Sequence, residues 1–248
     1  MALDTVAVLL AAPFVGSFLG VVIDRLPAGR PVLVARSRCD ACGTRLGARD
    51  LVPVASWLWQ RGRCAYCRAE LSTFYPIIEL AALAVALSAA SVLSGWLLLV
   101  SCALGWTLLT LAAIDQRHFL LPDVLTLPLI PAGLAVAWAI DPALIVPHAV
   151  GALAGFAAFA VIAILYRRLR RREGLGLGDA KLLAGAGAWL GWQALPGLVV
   201  VAALCALAVA LARTLPGDGL SAATQVAFGS YLALAFWLVW LLGPPILA

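Results

Sequence analysis

The sequence predicts an all-α integral membrane protein with about eight transmembrane helices. Of its 248 residues, 64% are hydrophobic and only 12% are charged, whereas soluble domains carry roughly 25% charged residues. The apolar residues fall into segments of the length that crosses a bilayer, about 17–25 residues for a hydrocarbon core of about 30 Å. The 17 lysines and arginines cluster between alternate segments. These features exclude an ordinary soluble domain.

Eight apolar segments define the predicted helices. Most have a length that can span a bilayer, and one is shorter and rich in glycine. In chain order the segments are 3–23, 76–93, 96–114, 124–140, 147–166, 180–192, 194–212 and 225–243. The first lacks a basic amino-terminal region and an obvious small-residue cleavage site, so we interpret it as a helix rather than a cleavable signal peptide.

The basic residues predict the orientation of these helices. Nine lie in residues 24–75, between the first two segments, and six lie in residues 167–181. The other two, Arg117 and Arg213, follow the third and seventh segments, and the alternate connections and both termini contain none. By the positive-inside rule, the basic connections face the cytoplasm and both termini face outward. The net charge of +5 then suits anionic lipid and requires no nucleic acid.

One connection, residues 24–75, is long enough to fold as an insert, and it contains four cysteines. They form two Cys-x-x-Cys pairs about twenty residues apart, a spacing typical of a structural zinc site; these are Cys39, Cys42, Cys64 and Cys67. Metal would stabilise a segment that is too short to bury much core of its own. Disulfides are the alternative, but we expect this insert to face the reducing cytoplasm. Four thiolates leave no open coordination position, so the predicted zinc is structural.

Four acidic residues lie at the ends of predicted spans or inside them: Glu79, Asp115, Asp123 and Asp179. An ionised side chain deep in a bilayer costs a few kcal/mol, about 2.5 or more, and therefore suggests a function. Asp115 ends the third span, where a carboxylate faces the unfavourable end of the helix dipole, and Asp179 opens the sixth. The predicted orientation places both at the cytoplasmic ends of their helices. Two such carboxylates can catalyse proteolysis, because one takes a proton from water while the other polarises the scissile carbonyl.

Two glycines and a lysine lie near these acids, and two of the acids themselves begin helices. Gly176 and Gly178 have no Cβ atoms and would let an extended substrate approach the carboxylates, so we predict that they line the substrate site. Glu79 and Asp123 follow prolines in first helical turns, where the dipole explains a carboxylate about as well as a function does. We interpret Lys181 as a residue that extends to the lipid headgroups.

The ordered set of motifs resembles the type IV prepilin peptidases, membrane enzymes of the GxGD aspartic class. The family's amino-terminal domain is similar to GSFLGVVIDRLP (16–27), the two cysteine pairs, DLVPVASWLWQRGRC (50–64) and YPIIEL (75–80). Its two peptidase motifs are similar to IDQRHFLLPDVLTLPL and GLGLGDAKLL, and its last helix to AFGSYLALA (227–235). The family commonly has asparagine where Gly20 stands, and FGP where this chain has AFGSY.

The resemblance implies a bifunctional enzyme. Residues 1–93 would form the amino-terminal domain associated with methylation, and residues 94–248 the aspartic peptidase domain. Asp115 and Asp179 would form the catalytic pair that cleaves the basic leader from type IV prepilins, type II secretion pseudopilins or both. The new amino terminus would then be methylated with S-adenosylmethionine. Such an enzyme lies in the bacterial inner membrane, with its active site facing the cytoplasm and both termini in the periplasm.

The residues alone also allow a different class of protein, a membrane transporter. An ion-coupled membrane transporter would also have many spans, intramembrane acids and a glycine-broken helix. The chain shows no internal repeat, however, and its two key acids are predicted at one face rather than at the membrane midplane.

Overall fold

The computed structural model describes residues 3–32, 37–39, 41–170, 176–214 and 226–243, and their regular secondary structure is almost entirely helical. Within these ranges there are nine α-helices: α1 (Leu3–Arg25), α2 (Ala55–Trp59), α3 (Phe74–Ala90), α4 (Gly95–His118), α5 (Asp123–Ile140), α6 (Ile145–Arg170), α7 (Leu177–Leu190), α8 (Leu195–Thr214) and α9 (Phe228–Leu242). Three short 3-10 turns and two isolated β-bridges are the other regular elements there. The predicted all-α class is confirmed.

Each of the eight predicted apolar segments overlaps a helix, and α2 is an additional short helix in the insert. Five helical segments are long and apolar enough to cross a membrane, namely α1, α4, α5, α6 with the turn before it, and α8 with the turn before it. Helices α3 and α9 are apolar but shorter, and α7 has 14 residues. The structure therefore supports a multi-span protein, and the count of eight spans stays a prediction.

The chain divides into two compact units, Met1–Thr110 and Leu111–Ala248. In the first unit, α1 packs closely against α3 because small residues face the contact. A Cβ atom added to Gly16 would lie 2.6 Å from Glu79 Cα, and one added to Gly20 would lie 2.9 Å from the Tyr75 ring. Glycine at these two positions therefore lets the two helices pack closely.

In the second unit, α7 is the central helix, with α5, α6 and α9 packed against it. Ten of its 14 residues are buried. A Cβ atom on Gly187 would collide with the backbone of Gly151 in α6, so glycine is required for this close helix contact. The indole nitrogen of Trp189 donates a hydrogen bond of 2.8 Å to the Leu129 carbonyl of α5. These contacts fix the rotation of α7 and so the direction of Asp179 in its first turn.

Candidate active site and metal site

Asp115 and Asp179 come together within the second unit, although 64 residues separate them in the sequence. Asp115 lies in the last turn of α4, and Asp179 lies in the first turn of α7. Both carboxylates face the first turn of α9, where a Cβ atom on Gly229 would lie 2.9 Å from Asp179 Oδ1 and 3.0 Å from Asp115 Oδ2. Asp179 Oδ1 and Asp115 Oδ2 therefore lie close together, because their separation cannot exceed the sum of these two distances to the same point.

Burial gives this pair its electrostatic character. Asp115 is 5% exposed and Asp179 is 8% exposed, and the two carboxyl groups interact electrostatically. A buried carboxylate loses hydration, and a second negative charge beside it is repelled. Both effects oppose a second negative charge on the pair.

Two residues at this site, Gly229 and Ser230, were not given a role by the sequence. The backbone N–H of Ser230 donates to Asp115 Oδ2 at 2.8 Å, and its hydroxyl lies 3.1 Å from the same oxygen. Ser230 is buried. The sequence did contain one signal for them, a glycine followed by a polar residue at the start of a strongly apolar helix. It does not show, however, which side chains that helix contacts.

Gly176 and Gly178 lie beside Asp179, as predicted from the sequence, while residues 174 and 175 of the GLGLG motif are outside the described residues. Gly176 caps the amino terminus of α7, and its backbone hydrogen-bonds to the Asp179 carboxyl. A Cβ atom on Gly178 would lie 2.9 Å from Leu121 Cβ, whereas one on Gly176 would come no closer than 3.7 Å to Asp179 Oδ2. Gly178 thus has a packing role, and the binding of substrate by either glycine stays a prediction.

Lys181 forms an ion pair that the sequence did not predict. Its Nζ atom lies 2.6 Å and 2.8 Å from the two carboxylate oxygens of Asp123. This ion pair joins α7 to the first residue of α5, so Lys181 is the partner of Asp123, and its extension to the headgroups stays a prediction.

Glu79, whose role the sequence left open, is buried in the first unit. Its carboxylate accepts a 2.7 Å hydrogen bond from the backbone N–H of Val54 and a further one from the Ser17 side chain. Val54 has φ = 58°, a conformation that is strained for a β-branched residue. Glu79 therefore connects the insert, at this strained residue, to α1 and α3.

The four predicted metal ligands cluster in the insert. The sulfur atoms of Cys39, Cys42, Cys64 and Cys67 all lie within 4.8 Å of one another, and none forms a disulfide. The Sγ atoms of Cys39 and Cys67 are 3.8 Å apart, close to the separation of about 3.8 Å that tetrahedral coordination with Zn–S bonds of about 2.3 Å requires. The arrangement fits a four-thiolate zinc site.

The two cysteine pairs adopt the same turn, which explains how they converge. Gly43 N donates to Cys39 O at 2.8 Å, and Arg68 N donates to Cys64 O at 3.0 Å. Gly43 and Arg68 occupy equivalent positions, with φ values of 70° and 62°. Hydrogen bonding with the side chain and then the backbone of Thr44 lowers the pKa of Cys42 to about 6. At Cys67 a backbone hydrogen bond with Ala69 lowers the pKa, but burial and the neighbouring thiols together raise it to about 11, so the positions of the four sulfur atoms, and not their acidity, support the metal site.

The fold and site define a multi-span membrane protein with a buried carboxylate pair and a four-cysteine insert. Residues 10–93 match the family described as Bacterial Peptidase A24 N-terminal domain, and residues 102–211 match the Type IV leader peptidase family. The chain therefore belongs to the type IV leader peptidase family, which confirms the resemblance and disfavours the transporter alternative.

Curated relatives extend this result over most of the chain. The prepilin leader peptidase/N-methyltransferase of Aeromonas hydrophila is 35% identical over 96% of this chain and 91% of its own length. The proteins with the same name from Dickeya chrysanthemi and Burkholderia pseudomallei (strain 1026b) are 41% and 42% identical. These alignments cover 92% and 85% of this chain, and 89% and 68% of the relatives. No solved structure matches this chain.

Proposed function

We propose that this chain removes the basic leader peptide from type IV prepilins, type II secretion pseudopilins or both, and then N-methylates the newly exposed residue. Membership of the type IV leader peptidase family supports both activities, since the curated relatives are named for both. The observation that carries the peptidase assignment is the meeting of Asp115 and Asp179 at one buried point beside Gly229.

The proposed cleavage uses both protonation states of the pair. The ionised carboxylate removes a proton from water, and the water oxygen attacks the scissile carbonyl carbon while the protonated carboxyl polarises the carbonyl oxygen. The resulting tetrahedral intermediate breaks its C–N bond as the amide nitrogen takes a proton from the carboxyl group that received one. The products are a free carboxyl and a free amine, and the pair again holds one proton.

The arginine distribution supports an inner-membrane orientation that suits this substrate. With both termini in the periplasm, eight spans would bring the ends of α4 and α7 that carry Asp115 and Asp179 to the cytoplasmic face. A substrate with a basic cytoplasmic leader and a following apolar helix would present its cleavage point at the same level. Gly176 and Gly178 would border its unwound segment.

Two cofactors belong to the proposal. Cys39, Cys42, Cys64 and Cys67 would hold one zinc ion that stabilises the fold of the insert. S-adenosylmethionine supplies a methyl group when bound. The part of the chain that the structure describes has no strand followed by a glycine-rich loop, so the nucleotide site of a soluble methyltransferase does not fit here. Methylation therefore rests on the family relationship.

The experiment combines purified enzyme in lipid nanodiscs with a purified prepilin and S-adenosylmethionine, and it measures the intact mass of the product. We expect loss of the leader and gain of one methyl group. The Aeromonas hydrophila relative provides a positive control with the same substrate. If that relative processes the prepilin and this chain leaves it intact, the proposed function is rejected.

A further inference from the structure

The position of Asp115 in α4 poses an electrostatic difficulty that the first turn of α9 resolves. Asp115 lies at the carboxyl-terminal end of α4, where the helix dipole disfavours negative charge. The first turn of α9 faces it, and the Ser230 N–H donates to Asp115 Oδ2 at 2.8 Å and, over a longer distance of 3.2 Å, to the Ala227 carbonyl oxygen. An ionised carboxylate oxygen accepts such a hydrogen bond about twice as strongly as a neutral carbonyl oxygen does. The amino-terminal end of α9 therefore compensates the unfavourable end of α4.

The hydroxyl of Ser230 adds a second interaction whose direction depends on the charge of Asp115. The Oγ atom lies 3.1 Å from Asp115 Oδ2 and 2.9 Å from the Ala112 carbonyl, but a hydroxyl has one proton and can donate to one of them at a time. The Ala112 carbonyl lies inside α4, where helical geometry already supplies an N–H donor. An ionised Asp115 is the stronger acceptor, so both Ser230 donors then point to Oδ2.

Asp179 has weaker support for a negative charge. It receives a hydrogen bond from the Gly176 backbone, and the dipole of α7 favours its ionised form. The cation two residues later, Lys181, is paired with Asp123 instead. Hydrogen bonds to a charged group stabilise it more than a helix dipole does. The two donors to Asp115 therefore outweigh the single bond and the dipole at Asp179.

We propose that Ser230 is a positioning residue that holds Asp115 as the ionised base of the pair and leaves the proton on Asp179. This inference rests on the proposed aspartic peptidase function and assigns a role to each of its two carboxyl groups. Asp115 then activates the water molecule, and Asp179 polarises the scissile carbonyl.

Kinetics of full-length variants in nanodiscs provide the first test. Ser230→Ala removes one donor and should lower kcat about tenfold, with a change in KM of less than about twofold, because the bond is to a charged group. Ser230→Thr keeps both the N–H and the hydroxyl donor, so its kcat should stay near the wild-type value. Wild-type kcat in Ser230→Ala would overturn the proposal.

A matched control separates positioning from the general loss of a buried hydroxyl. Thr110 is also buried in α4, and its hydroxyl donates to the Trp106 carbonyl at 2.8 Å. Thr110→Val removes this hydroxyl away from the carboxylate pair and should leave kcat unchanged. A fall in kcat equal to that of Ser230→Ala would show that the serine effect is merely structural and would overturn the proposal.

Infrared difference spectroscopy at neutral pH, without substrate, tests the assignment independently of activity. The carbonyl stretch of a protonated carboxylic acid should be present in the wild type and in Asp115→Asn, and should be lost in Asp179→Asn. The reverse pattern would overturn the assignment while leaving the peptidase proposal intact if both variants fail to cleave. Cleavage by either aspartate variant would instead reject the aspartic mechanism, and the role of Ser230 with it.

Discussion

Gly229→Ala is the substitution that the geometry of the site predicts most sharply. The added Cβ atom would lie 2.8 Å from Leu121 Cδ1, 2.9 Å from Asp179 Oδ1 and 3.0 Å from Asp115 Oδ2, whereas ordinary contacts begin at 3.4 Å. The leucine methyl can rotate away, but each carboxylate oxygen must move by a few tenths of an ångström. Asp115 resists this movement because Ser230 holds its Oδ2 atom.

The magnitude follows from that displacement. A misplacement of about 1 Å at a catalytic group costs about 100-fold in rate, so a shift of a few tenths of an ångström should lower kcat about tenfold. Overpacking a buried contact costs about 1–3 kcal/mol of unfolding free energy, so the variant should still fold. Initial rates of prepilin cleavage, measured beside thermal unfolding, give both quantities.

The control for Gly229→Ala is a glycine in an open position. A Cβ atom on Gly197, in α8, would meet nothing within 4 Å, so Gly197→Ala should keep both the rate and the melting temperature. Wild-type kcat in Gly229→Ala, together with inactivity of Asp115→Asn, would refute the close approach of α9 to the carboxylate pair.

Three further predictions concern the supporting structure. Elemental analysis should find one zinc per purified chain and a loss of that zinc in the double variant Cys39→Ser, Cys42→Ser; equal metal in both samples would contradict the metal site. Lys181→Met should cost at most about 1 kcal/mol of unfolding free energy, since its partner Asp123 is largely exposed. Salt should weaken this effect, and a salt-independent loss measured by thermal unfolding would argue against the ion pair. Glu79→Gln should retain substantial cleavage because an amide oxygen can still accept the N–H of Val54, whereas Glu79→Ala should increase hydrogen exchange in the insert. Abolished cleavage in Glu79→Gln would assign Glu79 a chemical role.

The sequence predicted the helices well because apolar segments in a membrane protein are long and uninterrupted. Segment 180–192 shows what the apolar pattern predicts correctly and what it does not predict. It is helical as Leu177–Leu190, but its length and glycines do not show that it is the buried centre of the second unit. That position depends on complementary small residues in neighbouring helices, such as Gly151 opposite Gly187.

The site was predicted in part for a similar reason. Asp115 and Asp179 could be proposed together because acidic residues are rare in spans and the basic residues predict the level of each helix end. Neither argument selects Gly229 or Ser230, which become important only when α9 packs beside both carboxylates. The partner of Lys181 was missed because Asp123 is 58 residues away and becomes adjacent only when α5 packs against α7.

Cleavage by the two single aspartate variants tests the central claim most directly. Wild type, Asp115→Asn, Asp179→Asn and the control Asp141→Asn would be purified into nanodiscs and incubated with the same prepilin. Asp141 caps a turn by accepting the Ala143 N–H at 2.9 Å, which asparagine can also do. We predict full leader removal by wild type and Asp141→Asn, and none by either of the other variants. Processing by Asp115→Asn or Asp179→Asn at a rate near that of wild type would contradict the aspartate-pair mechanism.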